Sequence, residues 1–541
     1  MRVFGPWDDL VFAILTLVGL VAVGSFALHW VRLPDWSTHS ILIAAASLLL
    51  LQRLGVYALR WGLLPFMRRP EPLRAPDGLR VGVATTFVPA YETIAMLEAT
   101  LERLVALSYP HDTWVLDEGD DPRVRALCER LGAHHFSRAG ITRYNRSEGT
   151  YAARTKHGNY NAWLAEIGYE RYDAIAAFDP DHVPRPSFLE RTLGYLRDPR
   201  IGYVQAAQAY YNQSASFIAR GAAEETYAYY SSSQMASFTM GYPIITGCHN
   251  VHRTQALREI GGFAAHDADD LLMTLHYRAA GWRGAYVPEI FARGLTPVDW
   301  RGYLKQQRRW ARSVLDVKFR RYPRLVGRLG WRERIMGGLH GLYYLQGVTT
   351  LGMLAVLAYL LATGTAPRFV SLLTGLNLAA LFVVLAALDL YRQRFFLDRR
   401  SEWGLHLRAA VLRVAKWPQL TLAVWDVIRD RRPSYDVTEK RSGAPATTAL
   451  VVPQAVALGG LLGAFGLHLA IGSRPPALVW IGWGACVAWV LGLLWTATWR
   501  FPAPFDRELL EHGWGRSVDV ESERARGWTR VDAETERRAV G

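Results

Sequence analysis

Asp179-Pro180-Asp181-His182 gathers two carboxylates and an imidazole within four residues, directly after the apolar run Ala174 to Phe178. Hard divalent cations such as Mg2+ or Mn2+ take oxygen ligands and tolerate an imidazole, which makes Asp179, Asp181 and His182 the candidate metal ligands. A cation there neutralises charge growing on a departing diphosphate. The competing reading is a turn built from aspartates and nothing more. Asp117-Glu118-Gly119 follows a second apolar run, Thr113 to Leu116, in the same way; its acids suit a nucleoside, and Gly119 lets the chain turn sharply. Lys156, opening the helical stretch Lys156-His157-Gly158-Asn159, offers a cation to a diphosphate at a helix N-terminus, or is a solvated lysine. Asp269-Asp270 opens an amphipathic run through Leu271, Leu272, Leu275 and His276. Asp270 there is the candidate general base for an acceptor hydroxyl, with simple helix capping as its rival. In Gln306-Gln307-Arg308-Arg309-Trp310, helical spacing puts Gln306 and Trp310 on one face with Arg309 beside them. The indole can stack on a sugar or base and the guanidinium can pair with diphosphate, although Trp and Arg also anchor interfacial membrane helices.

These groups need a frame that brings them together. Between about 80 and 325, strand-like runs alternate with helical patterns such as Ile94 to Leu107, which predicts an α/β domain with a mostly parallel sheet and helices on both faces. Ligands in such sheets sit beyond the carboxyl ends of the strands, where both acidic motifs fall. Outside this region, apolar runs near 10–30, 40–66, 336–362, 368–391, 447–472 and 476–499 are long enough to cross about 30 Å of hydrocarbon at about 1.5 Å per residue. The first exceeds a signal-peptide core and reads as a retained span. Lys and Arg crowd 67–335, 392–446 and the tail after 499, which assigns those segments to the cytoplasm. The expected organisation is therefore two N-terminal spans (1–70), a cytosolic domain (71–330), four spans with an interfacial helix and loop at 392–446 (331–500), and a cytosolic tail (501–541).

The net charge of +14 follows from this topology and requires no nucleic-acid partner. Cys128, Cys248 and Cys486 lie far apart without Cys-x-x-Cys spacing, which argues against a disulfide framework or a zinc site. Ionisable groups gather in the cytosolic region and are nearly missing from the apolar runs, which argues against a transporter with an idle domain.

The order Asp117-Glu118-Gly119, Asp179-x-Asp181, Asp269-Asp270, Gln306-x-x-Arg309-Trp310 resembles that of the processive family 2 glycosyltransferases, the group of cellulose, chitin, hyaluronan and curdlan synthases, over about 80–320. The resemblance implies a GT-A-like (Rossmann-type) glycosyltransferase domain set between membrane helices. It also implies inverting transfer with Asp270 as base, and donor contacts from Asp117, Glu118, Lys156, Asp179, Asp181 and Arg309. Acceptor contacts fall to Asp269, Gln306 and Trp310, joined by Cys248, because Thr246-Gly247-Cys248 is similar to the acceptor segment of cellulose synthases. Tyr435-Asp436-Val437-Thr438-Glu439-Lys440 resembles the Phe-x-Val-Thr-x-Lys gating loop of bacterial cellulose synthase catalytic subunits, which implies that Val437, Thr438 and Lys440 close over the donor. Tyr435 stands for phenylalanine, Ala268-Asp269-Asp270 for Thr-Glu-Asp, and Ser313 for a frequent glycine. The implied partners are UDP-glucose, a growing β-glucan, the plasma (inner) membrane and accessory or periplasmic subunits, with β-1,4 linkage ahead of β-1,3. A hyaluronan-, chitin- or mannan-type synthase and a transferase acting on a lipid carrier remain the alternatives.

Overall fold

All seven residues of the first strand, β1 (Val81–Phe87), are buried, as a strand covered on both faces requires. It lies inside an eight-stranded sheet completed by β2 (Asp112–Asp117), β3 (His134–Phe136), β4 (Ala174–Phe178), β5 (Val183–Pro184), β6 (Ile201–Tyr210), β7 (Asn250–Arg253) and β8 (Arg283–Gly294). The spatial order is β3-β2-β1-β4-β7-β6-β8-β5. The computed structural model describes residues 3–395, 397, 402–431, 447–470, 477–503 and 505–512.

Strands β3, β2, β1 and β4 are parallel, as are β6 and β8. The expectation of a mostly parallel sheet needs one correction: β7 runs antiparallel to both β4 and β6, and β5 antiparallel to β8, so the sheet is mixed. The sequence Asn250-Val-His-Arg253 does not read as an apolar strand. Its buried polar side chains are satisfied internally: His252 donates to Asn250 Oδ1 (2.8 Å) and accepts from the Tyr277 hydroxyl (3.0 Å).

Successive side chains alternate between faces. Val81, Val83, Ala174, Ala176 and Phe178 enter one core, while Ala84, Trp114, Leu116, Ile175 and Ala177 enter the other. The helix Ile94–Val105 closes the first face near the carboxyl ends, with Leu97 and Leu101 against Phe87 and Val115. Its N-terminus is capped by Thr93, which accepts the Met96 N–H (3.3 Å).

Among the described residues, four helices are long and apolar enough to cross a membrane: Pro6–Val31, Trp331–Thr363, Leu372–Gln393 and Ala449–Ala470. The remaining two expected positions hold the helices Ser40–Leu63 and Ala477–Ala497, whose apolar stretches, Ser40–Val56 and Gly482–Ala497, are shorter. Buried Asp35 ties two loops together by accepting the N–H groups of Arg368 (2.9 Å) and Phe369 (2.7 Å).

The segment read as interfacial forms the helices Leu407–Ala415 and Trp417–Ile428. Their buried faces, with Leu412, Ala415, Leu420 and Ala423, pack onto the α/β domain, while Leu407, Val414, Trp425 and Ile428 stay exposed. Ion pairs Arg308–Asp426 (2.7 Å) and Lys416–Glu225 (2.9 Å) fasten this amphipathic layer to the domain.

Candidate active site

The carboxyl ends of β1, β2 and β4 open onto a cavity of about 2280 Å3. Lys156 begins the helix Lys156–Trp163, whose N-cap Thr155 accepts the Gly158 N–H (3.1 Å). Its ammonium donates to Asp179 Oδ1 (2.5 Å) and to the Gly247 carbonyl (2.7 Å), so it is no solvated surface lysine. Burial pulls its pKa down, but the carboxylates of Asp179 and Asp269 outweigh burial and hold it well above the ordinary lysine value. The same ammonium keeps Asp179 below the usual carboxylate range against the opposing effect of burial.

Gly247 joins three motifs that are distant in sequence. Its carbonyl meets Lys156, its N–H donates to Asp270 Oδ2 (2.8 Å), and its φ of +56° is a conformation that glycine adopts at low cost. Asp270 Oδ1 accepts the Leu271 N–H (2.7 Å), while the N-cap of the helix Asp269–Ala279 is Ala268 and makes no side-chain bond. Burial raises both carboxyls, Asp269 to about 7. A carboxylate held near neutrality can accept a proton from a hydroxyl.

Asp179, Asp181 and His182 each present a ligand atom, and these atoms all lie within 4.8 Å of one another. His182 Nδ1 is 3.2 Å from Asp181 Oδ1, and its Nε2 is buried without a hydrogen-bond partner among the described residues. The ring fits only because residue 294 is glycine: a Cβ there would stand 2.1 Å from Nε2. Two carboxylates and an imidazole with an unpartnered nitrogen fit a hard divalent cation.

Glu118 lines the cavity, but Asp117 does not. Asp117 is fully buried beneath the turn, accepting the N–H groups of Gly119 (2.9 Å) and Asp121 (2.6 Å) and facing His135 Nε2 (3.2 Å). It shapes the loop that Glu118 occupies. Glu118 is gripped by Arg138 through Nε (3.0 Å) and Nη2 (2.9 Å). Arg138, 1% exposed, also donates to the carbonyls of Tyr144 and Ala152. Nothing in the sequence marks Arg138 beyond its place just after β3. Arg138→Ala strands a largely buried carboxylate and several carbonyls, and we expect it to destabilise the fold by about 3–5 kcal/mol. Thermal unfolding of the purified variant checks this; an unchanged midpoint contradicts it.

Gln306, Arg309 and Trp310 face the cavity from the helix Trp300–Asp316. Buried Gln307 accepts from Lys416 Nζ (2.7 Å), which also binds both oxygens of Glu225 (2.9 and 3.0 Å). Sequence reasoning missed this Glu225–Lys416–Gln307 network because its members come from two separate helices and the turn between Leu407–Ala415 and Trp417–Ile428. Cys248 is buried on the cavity wall, and its thiol accepts from Gln208 Nε2 (3.2 Å). Val437, Thr438 and Lys440 lie outside the described residues. From this site the cavity continues past Tyr229, Tyr230 and Tyr343 to Gln52 and Val56 of the second apolar helix and to Leu385 and Leu388 of Leu372–Gln393.

A metal-fitting trio at the end of β4, a buried carboxylate pair and an aromatic-cationic helix thus surround one cavity of an α/β domain carried on apolar helices. Residues 82–313 match the family described as glycosyltransferase like family 2. Among curated proteins it is 28% identical to a UDP-forming cellulose synthase catalytic subunit of Pseudomonas fluorescens over 373 residues, 64% of this chain and 48% of that one. It is likewise 28% identical to a probable glucomannan 4-beta-mannosyltransferase of Oryza sativa over 239 residues, 42% of each. The chain thus spans less than half the length of these relatives. A solved mannosyltransferase of Pyrobaculum calidifontis, in complex with GDP-mannose and Mn2+, is 18% identical with a TM-score of 0.49, covering 72% of this chain and all of that one.

Proposed function

We propose that this chain is a membrane-embedded, processive, inverting hexosyltransferase that joins glucose from UDP-glucose into a β-glucan and passes the product out through its own helices. The observation that carries this reading is the single cavity running from Asp179 and Asp270 to residues of the apolar helices. A lone transfer to a soluble acceptor needs no such extension. Names of the similar proteins support a glucan, and β-1,4 linkage is the form we favour. The proposed arrangement has six spans, both termini and the 71–330 domain on the cytoplasmic side of the plasma (inner) membrane.

Asp270 takes the proton from the acceptor hydroxyl as that oxygen attacks the anomeric carbon opposite the diphosphate, which turns an α-linked donor into a β-linked product. Trp310 and Gln306, with Asp269 and Cys248, hold the acceptor; Glu118 holds the nucleoside, with Asp117 beneath its loop. Lys156 and Arg309 face the diphosphate. Mg2+ or Mn2+ held by Asp179, Asp181 and His182 supplies positive charge to the leaving group when bound.

Incubating the purified protein in lipid with labelled UDP-glucose, then analysing the product, tests the reading: we expect polymer, whereas lipid-linked sugar or no incorporation contradicts it. GDP-mannose belongs in the same screen, because the rice relative is named for mannosyl transfer. The gating-loop resemblance adds an expectation. Thr438→Ala with Lys440→Ala sharply lowers polymer yield and leaves thermal unfolding unchanged, since these groups would touch the donor rather than a core. Unaltered synthesis by that double variant removes the loop from the mechanism.

A further inference from the structure

Beside the trio of hard ligands the fold assembles a second, softer set. His182, Cys248 and His249 each offer one ligand atom, all within 4.8 Å of one another, and they are only 7%, 1% and 0% exposed. The pairing of β4 with β7 creates this set: His182 lies on the turn after β4, and Cys248-His249 leads directly into β7. The His182 and His249 rings meet edge to face at 4.7 Å between centroids. A second observation points to a ligand. Among the described residues, Nε2 of His182 and Nε2 of His249 are both buried with no hydrogen-bond partner. Buried polar atoms are nearly always paired, and two imidazoles that each keep an unpaired nitrogen, clustered with one thiol, match the donor types of a metal site. His249 also holds a φ of +58°, an uncommon conformation for a side-chain-bearing residue.

We propose that His182, Cys248 and His249 bind one borderline-soft divalent cation of the zinc class. A thiolate and two neutral imidazoles select such an ion over Mg2+. On binding, the Cys248 S–H bond breaks, its proton leaves to solvent, and the sulfur lone pair forms the bond to the metal. His182 and Cys248 both line the cavity, which gives the ion an entry path and leaves room for a water as fourth ligand. The absence of Cys-x-x-Cys spacing carries no weight against this set, because its members come from the turn after β4 and the segment leading into β7, which the pairing of those two strands brings together. His182 belongs to both metal sets, so filling this one withdraws it from Asp179 and Asp181. Zinc therefore opposes the hard cation of the transfer reaction. That consequence rests on the proposed transferase reading; the binding itself does not.

Titration of the full-length, metal-free protein in detergent with Co2+, a spectroscopically visible stand-in for Zn2+, tests the site. We expect a sulfur-to-cobalt charge-transfer band that saturates at one equivalent and is displaced by Zn2+. Cys248→Ser abolishes the band, and the double variant Cys128→Ser with Cys486→Ser keeps it. His249→Ala weakens Co2+ binding by at least about 10- to 100-fold, the cost of losing even a supporting group. No thiolate band at one equivalent, or a band that survives Cys248→Ser, overturns the proposal. The readout involves no turnover, so its failure and a failure of sugar transfer are separate results.

Discussion

Asp270→Asn lowers sugar transfer by about 10²- to 10⁴-fold, the usual contribution of a general base, while donor binding stays nearly intact. Asparagine has the size of aspartate and can still accept the Gly247 N–H through its amide oxygen, so the loop that also meets Lys156 keeps its place. What disappears is the basic oxygen that takes the acceptor's proton. Measuring donor affinity by calorimetry alongside turnover separates the two effects. Near-normal turnover reduces Asp270 to a structural contact of Gly247. The raised carboxyl pair adds a pH signature. A base acts only when deprotonated, and burial lifts Asp269 to about 7 with Asp270 also displaced upward. Transfer therefore rises with pH as Asp270 gives up its proton, over a range above that of an ordinary carboxylate, and is lost as pH falls back through that range.

Excess chelator stops polymer formation, and Mg2+ or Mn2+ restores it. Without a cation, a diphosphate at the end of β4 would face Asp179 and Asp181 with Lys156 as a nearby countercharge already bonded to Asp179 and the Gly247 carbonyl. Each pair of unit charges about 4 Å apart repels by about 4 kcal/mol at an effective dielectric constant of about 20. Two such repulsions exceed what one shared ammonium offsets. Asp181→Asn should reproduce most of the chelator effect even in saturating metal, because it removes one of the two negative charges that hold the cation while Lys156–Asp179 persists. Full synthesis in chelator, or a fully active Asp181→Asn protein, contradicts a cation-dependent site.

The sequence disclosed the parts of the site whose residue types are themselves unusual. Asp-x-Asp-His after an apolar run, an Asp pair opening a helix and Gln-x-x-Arg-Trp all declared a chemistry, and all of them reach one cavity. Less legible was what holds them there. Gly247 carries no chemical label, yet its backbone is where Lys156 and Asp270 meet. Arg138 looks like any arginine after a strand until burial leaves Glu118 as its counter-ion. Asp117 and Glu118 are neighbours of equal charge, and only the turn shows that one points beneath the loop and the other into the cavity. Periodicity identified the α/β class but not the direction of β7, whose buried residues are mostly polar. Apolar length pointed to six positions, and among the described residues four of them hold helices long and apolar enough to cross a membrane.

Reconstitution into sealed lipid vesicles with the 71–330 domain outward tests the central claim most directly, because the cavity joins the candidate chemistry to the apolar helices. Labelled UDP-glucose and Mg2+ are supplied outside, and β-glucanase is added afterwards. We expect labelled polymer that resists the enzyme until detergent opens the vesicles. Polymer digested completely without detergent, or label found only on lipid, contradicts it.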